Sequence, residues 1–172
     1  PEPETEPKRS RQDFYVSAIH GDDSYDGLTI NTPFKSIKHA ISVNDIIAGD
    51  TIYVLNGAYR NSNYGLFSFE NPNDPVVTID ISGTEENYIT LRNYPNHTPK
   101  INFDGVGGIK ISNKSQYIIV EGFEVEGPSA SISYKDAENN RKLKINVNTS
   151  YRPGHFDGHG IYGSGGTNEN LF

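Results

Sequence analysis

The chain has 172 residues, enough for one domain with its own core, and its 34% hydrophobic content includes an aromatic fraction of 11%. A formal net charge of −7 argues against a nucleic-acid backbone as partner, which would select a basic face. Cysteine is absent, which excludes disulfide frameworks and thiolate zinc sites, and no run approaches the roughly 18 apolar residues of a membrane span.

The opening PEPETEPKRS is rich in Pro and Glu and has no apolar periodicity, so residues 1–12 are expected to be a flexible linker and residues 13–172 the folded domain. Such a segment follows export or lipid-anchor signals in bacterial surface proteins, and an artificial chain start looks the same. From Asp13, Phe14 and Val16 alternate with Tyr15 and Ser17 as in a half-buried strand. An acidic, Gly-bounded turn, Gly21 to Gly27, follows. Thr32 then offers an N-cap, Pro33 a first helical position, and Phe34, Ile37, Ala40 and Ile41 share one helical face. A helix over Pro33–Val43, ending near Asn44, is the expectation.

Beyond Asp50 the pattern changes to short strands. Thr51–Leu55 runs into Asn56-Gly57, the one hairpin-like dipeptide, and further runs cover Val76–Ile81, Tyr88–Leu91, Ile101–Phe103, Ile109–Ile111 and Tyr117–Val125. Tyr88-Ile89-Thr90-Leu91 matches Tyr117-Ile118-Ile119-Val120 at an offset of 117 − 88 = 29, a period that signals a stacked solenoid. The intervals Asn61–Pro75 and Pro128–Gly154 then become loops within a coil. In the second, Ser133 and Asp136 have capping-box spacing, which predicts a short surface helix. The end, Leu171-Phe172 after a Gly loop, resembles the start of another strand, so an N-terminal piece of a longer protein is expected.

The blocks GDDSYDGLTINTPFKSIKHAI, AGDTIYVLNGAYR, YITLRNYPNHTPKINF, GIKISNKSQYIIVEGFEVEG and GHFDGHGIYGSGG resemble the N-terminal region of right-handed parallel β-helix proteins of the pectin-lyase-like superfamily. The resemblance implies an all-β, right-handed parallel β-helix with an N-terminal capping α-helix, truncated at its C-terminal end. It is similar in particular to secreted bacterial polysaccharide lyases acting on pectate, alginate or chondroitin-type glycans, which use a calcium ion and a basic side chain. The implied function is calcium-assisted β-elimination of an acidic glycan by a secreted or surface-attached monomer. A non-catalytic glycan-binding or surface-display module and a β-helix glycoside hydrolase are the alternatives. The catalytic residues stay unknown, with the base expected beyond this segment.

Two clusters attract attention as sites. Asp22, Asp23 and Asp26 offer oxygens to calcium but lack EF-hand spacing, so Asx turns and a left-handed Gly27 are the favoured reading. His155, Asp157 and His159 would share one face of an extended strand, and with Tyr162 they are the expected substrate-binding residues, Asp157 being the only useful calcium ligand. The plain alternative is that Gly158 and Gly160 break that strand. Lys110 and Arg92 point outward and are read as solvated partners of Glu121, Glu124 or Glu126. Tyr53, Tyr88 and Tyr117 are read as core edges, and Tyr25, Tyr64, Tyr134, Tyr151 and Tyr162 as platforms for stacking sugars.

Overall fold

The computed structural model describes residues 9–43, 46–62, 64–65, 74–146 and 158–163. Strand β1 (Asp13–Val16) leads to helix α1 (Ile37–Ser42), then to β2 (Thr51–Val54), β3 (Ala58–Arg60), β4 (Val77–Ile79), β5 (Ile89–Asn93), β6 (Lys100–Asn102), β7 (Gly107–Ile111), β8 (Ile118–Glu121) and β9 (Glu124–Glu126). A 3-10 turn at Pro128–Ser131 and helix α2 (Tyr134–Asn146) separate β9 from β10 (His159–Gly163). Pairing gives three sheets, β1-β2-β5-β8, β3-β6-β9 and β4-β7-β10, and all the pairs are parallel. From β2 onward the chain visits the three sheets in turn, so each circuit adds a rung to every sheet. This is the expected parallel β-helix.

The register explains the sequence pattern. Ile89 pairs with Ile118 and Leu91 with Val120, so the 29-residue offset (118 − 89) is one turn of the solenoid. Inward side chains form ladders: Phe14–Ile52–Leu91–Val120 in the first sheet, Tyr59–Ile101–Val125 in the second and Val77–Ile109 in the third, where the half-exposed Ile161 pairs beside Ile109. Most are fully buried, and each such aliphatic side chain contributes about 1.5–3 kcal/mol. Tyr59 is the polar member. Its hydroxyl donates toward Leu55 O (2.9 Å) and Val16 O (3.2 Å) and accepts from Ala18 N–H (3.1 Å). Burial pushes the phenol up to about 12, opposed by the Ala18 amide.

The lower end is closed by α1, which buries Ile37, Ala40 and Ile41 against the first rung. The helix is shorter than the sequence suggests, because neither Thr32 nor Pro33 opens it. Phe34 pairs with β1 instead, its N–H donating to Tyr15 O and its carbonyl accepting from Ser17 N–H, while the Thr32 hydroxyl donates to Asp26. Extended pairing holds the backbone out of the helical region until Ser36, which caps α1 by accepting the His39 N–H at 3.0 Å. Just ahead of β1, Arg9 makes a two-pronged ion pair with the fully buried Asp50.

Other expectations are refined. The run Tyr117–Val125 is two strands, because Gly122 (φ +78°) turns the corner between sheets and the Asn93 side chain fills the space a Cβ would need. Asn56-Gly57 makes a corner too, not a hairpin, since β2 and β3 lie in different sheets. Helix α2 forms with Ser133 as its cap, the hydroxyl accepting the Asp136 N–H at 3.1 Å and donating to the Asp136 carboxylate. No helix among the described residues is long and apolar enough to cross a membrane.

Candidate functional site

Alternation on the third sheet sends Val77, Ile79 and Ile109 inward and leaves Thr78 and Lys110 outside. β10 pairs in the same register, with Ile161 beside Ile109 and Tyr162 beside Lys110, although here Ile161 is half exposed and Tyr162 half-buried; by register Thr78, Lys110 and Tyr162 are neighbours in one ladder. The ring of Tyr162 lies over Gly107, where any side chain would collide with it, and stands 5.4 Å from the ring of His159. Burial raises the Tyr162 phenol above its ordinary range, and the nearby Asp74 carboxylate adds to the rise.

Beside this ladder, an open groove of about 660 Å³ lies between α1 and the outer side of β4 and β7. Lys38 and Ser42 of the helix line one wall, and Asp74, Thr78, Asp80 and Lys110 the other. Neither Lys38 nor Lys110 forms an ion pair among the described residues. The glutamates offered to Lys110 by sequence are taken elsewhere: Glu121 by Arg92 (3.1 Å), and Glu124 and Glu126 by Lys100 (3.1 and 3.0 Å), whose ammonium the Glu126 and Glu124 hydrogen bonds hold above its usual range. Lys110 is on the third sheet; Arg92 and Lys100 are on the first and second.

Of the four residues singled out by sequence, His159 and Tyr162 come together on β10, in a strand that Gly160 does not break. His155 and Asp157 lie outside the described residues. Among the described residues no group of three or more His, Asp or Glu is placed to hold a metal ion. The acidic turn is structural. Asp22 accepts from Ser24 N–H, Asp26 from Leu28 N–H and the Thr32 hydroxyl, and Asp23 from the N–H groups of Lys35 and Ser36; Gly27 has the foreseen positive φ (+69°).

Sequence reasoning missed Lys38, Asp74, Thr78 and Asp80. The alternation Val77-Thr78-Ile79 announced one of them, whereas the others depend on where the helix docks. It also misplaced Tyr53, which faces outward and stacks on Tyr15 at 5.8 Å, with Tyr94 edge-on at 5.7 Å. Alternation with Ile52 and Val54 carried that signal.

The family described as Pel9A-like, right handed beta helix region matches residues 14–172. The chain belongs to this family. The resemblance to the pectin-lyase-like superfamily therefore holds, and the solenoid is right-handed. No curated protein matches the chain significantly. Solved structures of similar fold include the GH136 lacto-N-biosidase from Eubacterium ramulus, in selenomethionine and native forms, with TM-scores of 0.54 and 0.53 at 22% identity. The match covers 67% of this chain and 20% of that one, so the chain spans a fifth of that structure's length. A rhamnogalacturonan lyase aligns with a TM-score of 0.48 and 23% identity, over 67% of this chain and 29% of its own. At these identities the likeness is one of fold.

Proposed function

We propose that this chain is the N-terminal part of a secreted or surface-attached, monomeric polysaccharide lyase that cleaves an acidic glycan by calcium-assisted β-elimination. The observation that carries the proposal is the ladder Thr78–Lys110–Tyr162 beside the groove, where a cation without an ion pair among the described residues adjoins an aromatic ring. Lys110 and Lys38 supply positive charge for a uronate carboxylate, the Tyr162 ring packs against the apolar side of a pyranose, the Thr78 hydroxyl exchanges hydrogen bonds with sugar hydroxyls, and the Ser42 hydroxyl, which donates to His39 O at 2.8 Å, accepts from them. Family membership and the resemblance to polysaccharide lyases support the substrate class.

Elimination requires a base to remove the proton beside the uronate carboxylate and positive charge to stabilise the anion that results. The groove cations fit the second role. We assign the base and any calcium ligands to residues other than the described ones, so the described part orients the chain of sugars. The test is to incubate the full-length protein with pectate, alginate and chondroitin, with and without calcium. New ultraviolet absorbance from an unsaturated product is expected; reducing ends without that absorbance would replace elimination by hydrolysis, and binding with no products would leave a glycan-binding module.

A further inference from the structure

Between α1 and β3 lies a second, smaller pocket of about 300 Å³. Lys35, Lys38, Arg60 and Ser62 line it above the buried Tyr59, and among the described residues no carboxylate takes part in its lining. That is a local excess of positive charge in a chain of net charge −7. Two acids of the turn that contacts Lys35 and Ser36 are already engaged: Asp23 receives the Lys35 and Ser36 N–H groups at 2.8 and 3.0 Å, and Asp22 caps its own turn through Ser24 N–H. The Ser24 N–H chiefly lowers the Asp22 carboxyl, with the Lys35 charge helping, and neither Lys35 nor Lys38 forms an ion pair among the described residues.

Arg60 is held differently. Its guanidinium lies over the Tyr64 ring at 4.7 Å from the centroid, a contact that uses the face of the fork and leaves its N–H edges for a planar acceptor. As the outward residue after the buried Tyr59, Arg60 stands on the second sheet's outer face. Lys38 lines this pocket and the larger groove alike, so the two depressions adjoin across α1, with Lys110 on the far side.

We propose that the pocket between α1 and β3 is a subsite for the carboxylate of an acidic sugar, so that an acidic glycan in the larger groove continues over the capping helix. Arg60 supplies the forked contact and Lys35 and Lys38 the point charges. The inference rests on the acidic-glycan reading above.

Trigalacturonate titrated into the nitrogen-15-labelled full-length protein tests the pocket, and cleavage of polygalacturonate is followed separately. Shifts at Arg60 Nε–H and at the Lys35 and Lys38 amides are expected, fading as salt rises. The carboxyl-reduced trimer should give none. Arg60→Gln and Lys35→Gln should each raise the dissociation constant about tenfold, the order of one lost charge-assisted contact, with unfolding unchanged. Unaltered binding in both variants, or equal shifts from the reduced trimer, overturns the subsite. Absence of cleavage with these shifts intact refutes the lyase reading and leaves the subsite standing.

Discussion

Asp50→Ala should be among the most damaging single changes in this chain. The Asp50 carboxylate is fully buried and receives four hydrogen bonds: Gln12 N–H (2.8 Å) and Arg9 Nη1 (3.0 Å) at Oδ1, Ile47 N–H (2.7 Å) and Arg9 Nη2 (2.6 Å) at Oδ2. Those donors tie the chain entering β1 and the turn before β2 to one point, and β1 and β2 pair along their whole length beside it. Truncation strands the Gln12 and Ile47 amides, at about 1–3 kcal/mol each, and leaves a partly exposed guanidinium without its partner, which together cost about 3–5 kcal/mol. Against a total stability of about 5–15 kcal/mol that is a large share. Arg9→Ala should cost less, about 1–2 kcal/mol, because the Arg9 side chain is 31% exposed and the two backbone donors still serve the carboxylate. Urea unfolding followed by far-ultraviolet circular dichroism reads both variants through the midpoint at constant m-value. A loss below about 1 kcal/mol for Asp50→Ala, or equal losses for the two variants, would refute the clasp.

Tyr59→Phe should destabilise by about 1–3 kcal/mol, since it removes the donor to Leu55 O and the acceptor of Ala18 N–H in a buried setting. Because the folded phenol is raised from 10.0 to about 12, it contributes stability below pH 10 that is lost as pH rises toward 12. Alkaline unfolding in that window should therefore be shallower in the variant, as a pH series of urea midpoints will record. Gly27→Ala places a Cβ at φ +69° against the buried Phe34 ring and should cost about 3 kcal/mol in the same assay. Arg92→Ala should change stability by no more than about 0.5 kcal/mol, because both it and Glu121 are nearly half exposed, and a larger effect would give that ion pair a role its geometry does not suggest.

The solenoid was legible because its signals are local and repeat: the alternation Phe14/Val16, Ile52/Val54, Ile89/Leu91 marks the inward ladders, and the 29-residue offset is a rung spacing. The acidic turn was legible for the same reason, since Asx turns reach only two residues ahead. The start of α1 was not. Thr32-Pro33 is a sound helix opening by propensity, and it lost to the pairing of Phe34 with β1, a contact set by residues far earlier in the chain. Strand β3 escaped notice because a three-residue strand after a Gly corner has no room to display alternation.

The candidate site was harder to see for a reason rooted in the architecture. Along one strand, outward residues recur every second position, which is why His155, Asp157 and His159 drew attention as a trio. Across a parallel solenoid, the neighbours in one ladder are instead one circuit apart: Thr78 meets Lys110 after 110 − 78 = 32 residues, and Lys110 meets Tyr162 after 162 − 110 = 52. The two intervals differ because the insertion carrying α2 lies in the second circuit, so no fixed sequence period could have aligned these three residues. Inward ladders can be found without knowing the circuit length, since their apolar character marks them. Outward ladders have no such mark, and a functional face on this fold becomes visible only when the register of each rung is known.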